Sequence, residues 1–222
     1  MEKTGEWGVW QLLDSTFPTG GFAHSGGVEA AWQQGWVRTS AELEAFVLES
    51  VKQAAHGVMP FVEAVYAGRA AAELDHYLDT MLPNHVANRA SRAQGHALIS
   101  TAERVFGGEA VGRMRLEVMA ERQPGHWGVM FGVVMRELGI AREQAMRMLL
   151  FLQMRGVFSA AVRLGAVGPL EAQRLQAGMA AGIETCMDAA RELKVEEAAQ
   201  CSPLLELWQL SQDRLYSRLF QS

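Results

Sequence analysis

A serine near the start of the chain stands in a context typical of a catalytic nucleophile. Residues 23–27 read Ala-His-Ser-Gly-Gly, which fits the pattern G-x-S-x-G with alanine at its first position. In hydrolases this pattern forms a sharp strand-to-helix turn that aims the serine hydroxyl at a substrate carbonyl. Here a Pro-Thr-Gly-Gly turn precedes the motif where a strand is required. A serine hydrolase using Ser25 is therefore one hypothesis, and it lacks the context that the motif needs.

The glycines of the same stretch have the spacing of a phosphate-binding loop. Gly21 and Gly26 match the two glycines of the pattern GxxxxGK[ST]. However, Gly27 and Val28 stand where that pattern needs a lysine for the terminal phosphates and a hydroxyl for magnesium. The sequence therefore excludes a nucleotide-binding loop of this type.

Two other interpretations of the stretch involve no reaction. Four glycines between Gly20 and Gly27 supply backbone freedom, which suits a tight connection between two helices. Alternatively, a rigid glycine-built turn would hold Phe17, Phe22 and His24 for recognition by a partner, as functional loops often do. Local chemistry alone leaves both interpretations open.

The remaining reactive side chains form no recognisable catalytic or metal centre. The six histidines include no pair at i, i+4, and HExxH is absent. Cys186 and Cys201 are far apart and lack a CxxC pattern. Asp14 and Glu29 flank the glycine-rich stretch and could act as an acid/base pair or as helix caps. Because nothing orients them toward a nucleophile, we interpret them as caps. We expect no metal, no cofactor and no catalysis, which leaves interaction as the function.

The composition is that of a folded, mildly acidic protein. Among 222 residues, 49% are apolar and 20% are charged, with a formal net charge of −5. A chain of this length can bury roughly 70% of its extended surface, and its acidity makes nucleic acid a poor partner. No signal peptide and no run of 18 uncharged apolar residues occurs. We therefore expect a soluble, cytoplasmic protein that does not bind membranes.

Helical periodicity runs along the whole chain. Thr39-Ser40-Ala41-Glu42 is a capping box and predicts a helix to about His56. A long apolar helix is predicted from Ala141 to Leu164, and apolar steps of three and four residues predict another from Leu175 to Leu193. Residues that favour strands are sparse. The prediction is an all-α fold, a single globular helical domain of about ten helices over residues 1–222.

The helix predicted from Val86 to Phe106 and the end of the chain each have an unusual composition. The helix predicted from Val86 to Phe106 has one face of small residues, which permits close contact with another helix. Ser202-Pro203 predicts the cap and first residue of a final helix. The aromatic, arginine-bearing end of the chain either folds back onto its own core or docks on a partner. The small-residue face consists of Ala90, Ala93, Ala97 and Thr101.

Four blocks of sequence together resemble the urease accessory proteins of the UreF family. They are WQLLDSTFPTGGFAHSGGVEAA near the start, NRASRAQGHALISTAERVFG in the middle, SAAVRLGAVGPLEAQRLQ after Phe158 and LYSRLFQS at the end. The blocks stand in the family's order and cover nearly the whole chain. The resemblance implies an all-helical, cytoplasmic homodimer that catalyses no reaction of its own and acts in assembly.

The resemblance also implies partners. The protein would bind a UreD/UreH-type accessory protein, and the pair would recruit a UreG-type GTPase that delivers nickel to apo-urease. It would modulate GTP hydrolysis without holding nucleotide. The implied partner-binding residues, within a docking segment 203–222, are Tyr216, Ser217, Arg218, Leu219 and Phe220. The residues that match the family's N-terminal and central signatures are Thr19, Gly20, Gly21, Phe22, His24, Ser25, Glu29, Arg89, Ser91 and Gly95.

Two positions depart from the family pattern. Gly26 stands where the family commonly has an aromatic residue, so a contact made by that ring is in doubt. Gln212-Asp213 stands where the family commonly has His-Asp or His-Glu. The second departure argues against a titrating or metal-binding role at residue 212.

Overall fold

Residues 5–222 are described by the computed structural model of the chain, and they form twelve α-helices and no strand. The all-α, single-domain prediction is confirmed, with two helices more than the predicted ten. The helices are α1 Glu6–Leu13, α2 Val28–Gln33, α3 Ser40–Gly57, α4 Met59–Tyr66, α5 Ala71–Met81, α6 His85–Phe106, α7 Glu109–Met119, α8 Trp127–Glu137, α9 Arg142–Arg163, α10 Pro169–Gly178, α11 Ala180–Ala190 and α12 Pro203–Ser211. Short 3-10 helices occupy Gly21–Ala23, Val195–Glu197 and Gln212–Arg214.

Helix α8 lies at the centre of the core. Every residue from Gly128 to Met135 is buried, and the helix packs against α4 and α6. At Gly132 an added Cβ would lie 3.0 Å from the Cβ of Val65 in α4. The glycine therefore lets the two helices approach each other more closely than a side chain would allow.

The start of α3 confirms the predicted capping box. The hydroxyl of Thr39 accepts a hydrogen bond from the Glu42 amide at 3.2 Å, and the Glu42 carboxylate accepts one from the Thr39 amide at 2.9 Å. Both bonds satisfy amides that have no partner inside the helix. The helix ends at Gly57, one residue beyond the predicted end.

Helix α9 is long and apolar enough to cross a membrane by length and composition alone. Charged residues such as Arg147 and Arg155 interrupt the apolar run, so a search for uncharged apolar runs does not detect it. In the fold, 56% of the apolar window is buried inside the protein, and the helix packs against α3 and α10. Its apolar character is that of a core helix.

The single helix predicted from Leu175 to Leu193 is wrong. Helix α10 ends at Gly178, α11 begins at Ala180, and Leu193 lies beyond α11. Leu175 and Met179 are both buried, so the apolar spacing continues across the break. Periodicity therefore could not detect the interruption.

Ser202 precedes α12 and Pro203 is its first residue, as predicted, but the serine side chain does not cap the helix. Its Oγ donates instead to the Glu49 carboxylate at 2.7 Å, and its amide donates to Gln53 Oε1 at 2.8 Å. The start of α12 is therefore fixed to α3 by side chains of that helix.

Candidate functional site

The glycine-rich stretch forms a loop between α1 and α2, here called the glycine loop (residues 18–27). Gly20 and Gly27 have φ angles of 74° and 93°, a region that residues with a side chain rarely adopt. An added Cβ on Gly20 would lie 3.5 Å from Ala97, and Thr101 Oγ1 donates to the Pro18 carbonyl at 3.2 Å. The small-residue face of α6, which the sequence indicates can lie close to another helix, therefore receives this loop.

The end of the chain, here called the C-terminal tail (residues 215–222), folds back onto the glycine loop. The Gln221 amide donates to the Ala23 carbonyl at 2.9 Å, and the Ser25 amide donates to the Ser222 carbonyl at 2.5 Å. Phe220 is only 4% exposed. The segment was expected either to fold back onto its own core or to dock on a partner. In the structure it folds back onto its own chain.

Glu29 anchors the C-terminal tail. Its side chain is buried, and its carboxylate accepts hydrogen bonds from the amides of Leu219 at 2.6 Å and Phe220 at 3.2 Å. The side-chain amide of Gln212 donates to it at 2.6 Å. Glu29 lies in the first turn of α2 but binds the tail, so its interpretation as a helix cap was wrong. At residue 212 the donor to this carboxylate is thus a neutral side-chain amide.

Arg163 of α9 joins the glycine loop and the tail from the other side. Its guanidinium carbon lies 3.5 Å from the centre of the Phe22 ring and 4.3 Å from that of the Phe220 ring. Its NH1 also donates to the Phe22 carbonyl. Cation–π contacts of this kind add about 0.5–2 kcal/mol, so Arg163 clamps one aromatic residue from each segment.

A second anchor lies at Asp213. Its carboxylate accepts hydrogen bonds from Arg89 of α6 and from Arg218 of the tail, each at 2.9 Å. His85 lies 3.2 Å from the same carboxylate. The hydrogen bond from Arg89 is the main reason why the pKa of Asp213 is lowered. Arg89 of the central signature and the C-terminal tail are therefore brought together through Asp213, although they are far apart in sequence.

Ser91 and Gly95, the other two central signature residues, contact a different part of the molecule. An added Cβ on Gly95 would overlap the Gly125 carbonyl oxygen, and Ser91 Oγ accepts a hydrogen bond from the Trp127 amide at 3.2 Å. Both residues fit α6 against the turn that precedes α8. The central signature is therefore divided between the site at the tail and the core.

His24 and Ser25 do not form a nucleophile and base. His24 Nδ1 lies 2.5 Å from Ser222 Oγ, while Ser25 Oγ accepts a hydrogen bond from the Gly27 amide. Ser25 is 1% exposed. Burial, with a smaller effect of Arg89, lowers the pKa of His24. The geometry gives Ser25 no general base, so the arrangement required by the hydrolase hypothesis is not present.

The outer face of the site is apolar. Tyr216 is fully exposed and Leu219 is half exposed, and the Gln33 side chain of α2 donates to the Ser217 carbonyl at 3.0 Å. Helix α2 also packs against α12. Together they present what we call the apolar surface, which consists of Trp32, Trp36, Leu204, Leu207, Tyr216 and Leu219.

Sequence reasoning missed most of the apolar surface. In α12, Leu204 and Leu207 are exposed, whereas Leu205 is buried. The sequence signal that could have revealed this surface is that α12 has apolar residues on both its buried and its exposed face. Across residues 5–222, no three His, Cys, Asp or Glu side chains are grouped to hold a metal ion.

These features together define a class of protein. The fold is all-helical, the glycine loop lacks a phosphate-binding lysine, and its serine lacks a base. An exposed apolar surface lies beside an anchored tail. Large apolar side chains exposed on packed neighbouring elements are typical of an interaction site. The molecule is therefore an interaction protein.

The chain belongs to the UreF family. The family's sequence model, described as UreF, matches residues 37–180. Urease accessory protein F of Oryza sativa subsp. indica is 38% identical over 99% of this chain and 86% of its own length. The protein of the same name from Arabidopsis thaliana is 37% identical over 98% of this chain and 92% of its own. Urease accessory protein UreF of Mycobacterium tuberculosis (strain ATCC 25177 / H37Ra) is 34% identical over 95% of this chain and 96% of its own length.

The relatives extend the match beyond the family model. Residues 37–180 exclude both the glycine loop and the C-terminal tail, whereas the two plant proteins align with 98% or more of the chain. The chain is thus an accessory protein of urease maturation, and it is not a catalytic enzyme. Membership in this family implies interaction with other urease maturation factors.

Proposed function

We propose that the chain is a cytoplasmic, homodimeric scaffold that binds a UreD/UreH-type accessory protein through the C-terminal tail and the apolar surface. The pair then recruits a UreG-type GTPase, modulates GTP hydrolysis and promotes nickel insertion into apo-urease. The observation that carries this proposal is the tail itself, which is anchored at Glu29 and Asp213 while Tyr216 and Leu219 face solvent.

The anchoring matters for affinity. A tail that already has its bound conformation loses less conformational entropy when a partner binds than a free tail would. Tyrosine, arginine and large apolar side chains are the types that contribute most at interfaces. Tyr216, Arg218 and Leu219 supply these types on the exposed side. Phe220 and Ser222 are buried within the chain, so we assign them to holding the tail in place.

Single substitutions test this better than a deletion. Removal of residues 218–222 would take away buried Phe220 together with both backbone donors to Glu29, so the remaining fold would also be disturbed. Tyr216→Ala and Leu219→Ala remove only outward side chains. Leu170→Ala is the matched control, because Leu170 is 87% exposed on α10, a helix that packs against α9 and α11.

Binding to a purified UreD/UreH-type partner from the same source would be measured by calorimetry, with light scattering for stoichiometry. We expect each of the two tail variants to weaken binding by about tenfold or more, and Leu170→Ala to bind like the wild type. Wild-type affinity in both tail variants would contradict docking through this surface. A complex that fails to retain the UreG-type GTPase would contradict only the recruitment step.

A further inference from the structure

Ser91, His126 and Asp79 form a chain of hydrogen bonds whose central member, His126, is buried. His126 Nδ1 lies 3.1 Å from Ser91 Oγ, and His126 Nε2 lies 2.9 Å from Asp79 Oδ1. The three residues come from α6, the turn before α8, and α5. His126 is completely buried. A carboxylate, an imidazole and a hydroxyl in this order are the parts of a proton relay to a nucleophilic serine.

The hydrogen-bond partners of His126 and Ser91 determine which atoms of these two side chains carry protons. A hydrogen bond from Asn88 is the main reason why the pKa of Asp79 is lowered, so this carboxylate is ionised and can only accept. His126 Nε2 therefore carries the proton, and Nδ1 has a free lone pair. Ser91 Oγ already accepts from the Trp127 amide, so its own hydrogen points to Nδ1. Burial lowers the pKa of His126, which keeps the imidazole neutral and able to take that hydrogen.

The backbone around the histidine is fixed as well. The carboxylate of Asp75 accepts hydrogen bonds from the amides of Gly125 at 2.6 Å and His126 at 2.8 Å. Gly95 packs directly against this turn. The imidazole is thus held by contacts on its backbone and on both ring nitrogens, which is the preorganisation that a general base requires.

Ser91 lines a cavity of about 210 Å³ between α3, α6, α9 and the glycine loop. Among the lining residues, all within the described part of the chain, none is Asp, Glu, Lys or Arg. One lining side chain, Gln200, has a buried amide nitrogen without a hydrogen-bond partner. The cavity therefore favours an uncharged guest with a hydrogen-bond acceptor such as a carbonyl oxygen. Its amide-bearing lining residues are Gln53, Gln94, Gln153, Gln200 and Gln209.

We propose that Ser91 is an acylatable serine that accepts the acyl group of small uncharged esters entering this cavity. Ser91 Oγ forms a bond to the carbonyl carbon, and the bond between that carbon and the leaving oxygen breaks. The hydroxyl proton passes to His126 Nδ1 and then to the departing alcohol. The product is an ester of Ser91 and one free alcohol, so the reaction modifies the chain once and adds to its accessory role without turnover.

Ser25 provides a matched comparison. It lines the same cavity, yet its hydroxyl accepts from the Gly27 amide, and the imidazole of neighbouring His24 is hydrogen-bonded to Ser222 instead. The sequence motif thus singled out Ser25, whereas the relay geometry belongs to Ser91. If the cavity alone made a serine reactive, both would be acylated. If the relay is required, only Ser91 reacts.

The test is to incubate the full chain with p-nitrophenyl acetate, follow release of p-nitrophenol, and locate the acetyl group by peptide mass spectrometry. We expect one equivalent of release and acetylation at Ser91 in the wild type and in Ser25→Ala, and none at residue 91 in Ser91→Ala. Asp79→Asn should slow the reaction by about a hundredfold, the range of general-base catalysis. Because Asp79 is 41% exposed and Asn keeps an acceptor, this variant decides the matter if Ser91→Ala fails to fold. No acetyl group on Ser91 of folded wild-type protein, or an unchanged rate in Asp79→Asn, would overturn the proposal.

Discussion

The carboxylate of Glu29 lies 2.6 Å from the backbone amide of Leu219, which is 190 residues away in sequence. This bond links the first turn of α2 to the C-terminal tail and is reinforced by the amide of Phe220 and the side chain of Gln212. Glutamate at this position therefore determines where the tail lies, and with it the exposed positions of Tyr216 and Leu219.

Substitution Glu29→Gln should release the tail. The neutral amide keeps one acceptor but loses the charge that strengthens these bonds, and each hydrogen bond to a charged group contributes about 1.5–3 kcal/mol. We expect hydrogen exchange at the amides of Leu219 and Phe220 to accelerate by at least tenfold, with the core helices unchanged. Glu192→Gln, at an exposed site, is the control. Equal protection of these amides in both variants would show that Glu29 is not the anchor.

Phe220→Ala and Tyr216→Ala should separate the two sides of the tail. Phe220 is buried against Arg163, whereas Tyr216 is fully exposed. Loss of a buried phenylalanine costs about 3–5 kcal/mol in a core, enough to detach a short tail. We expect limited proteolysis to remove the tail from Phe220→Ala much faster than from the wild type. Tyr216→Ala should resist cleavage like the wild type, and rapid cleavage there would contradict the assignment.

Acidification should loosen the tail at His24. Burial lowers the pKa of His24 below the ordinary value of 6.5, so folding favours the neutral ring. The stabilisation is present above pH 6.5 and is lost as the pH falls toward the lowered pKa. Hydrogen exchange at the Ser25 and Gln221 amides, corrected for its intrinsic pH dependence, should rise in this range. His24→Gln should abolish that rise, and a rise that persists in this variant would point to another group.

Gly95→Ala should destabilise the whole domain, because the new Cβ would overlap the Gly125 carbonyl. Overpacking of this kind costs about 1–3 kcal/mol. Gly112→Ala in α7 is the matched control, since an added Cβ there meets nothing within 4 Å, and alanine favours helix by about 0.5–1 kcal/mol. In denaturant unfolding, the midpoint concentration should be lower than that of the wild type for Gly95→Ala and slightly higher for Gly112→Ala. Equal midpoints would remove the packing explanation for Gly95.

Local chemistry made parts of the structure predictable. Both partners of the Thr39 capping box lie within four residues, so sequence sufficed to find it. The break at Gly178 was missed because the apolar spacing continues through it. The tail anchor was missed because Glu29 and Leu219 are neighbours only in the folded chain. The same holds for Ser91 and His126, which no short motif connects.

The bond between Glu29 and the tail also has a consequence for folding. Closing 190 residues of chain carries a large entropic penalty unless the helices between them are already in place. We therefore expect the glycine loop to acquire its final contacts after the intervening helices have formed. A nascent chain that stops before Leu219 leaves the Glu29 carboxylate without its backbone donors. The contacts of Glu29 in α2 therefore depend on whether the tail is in place.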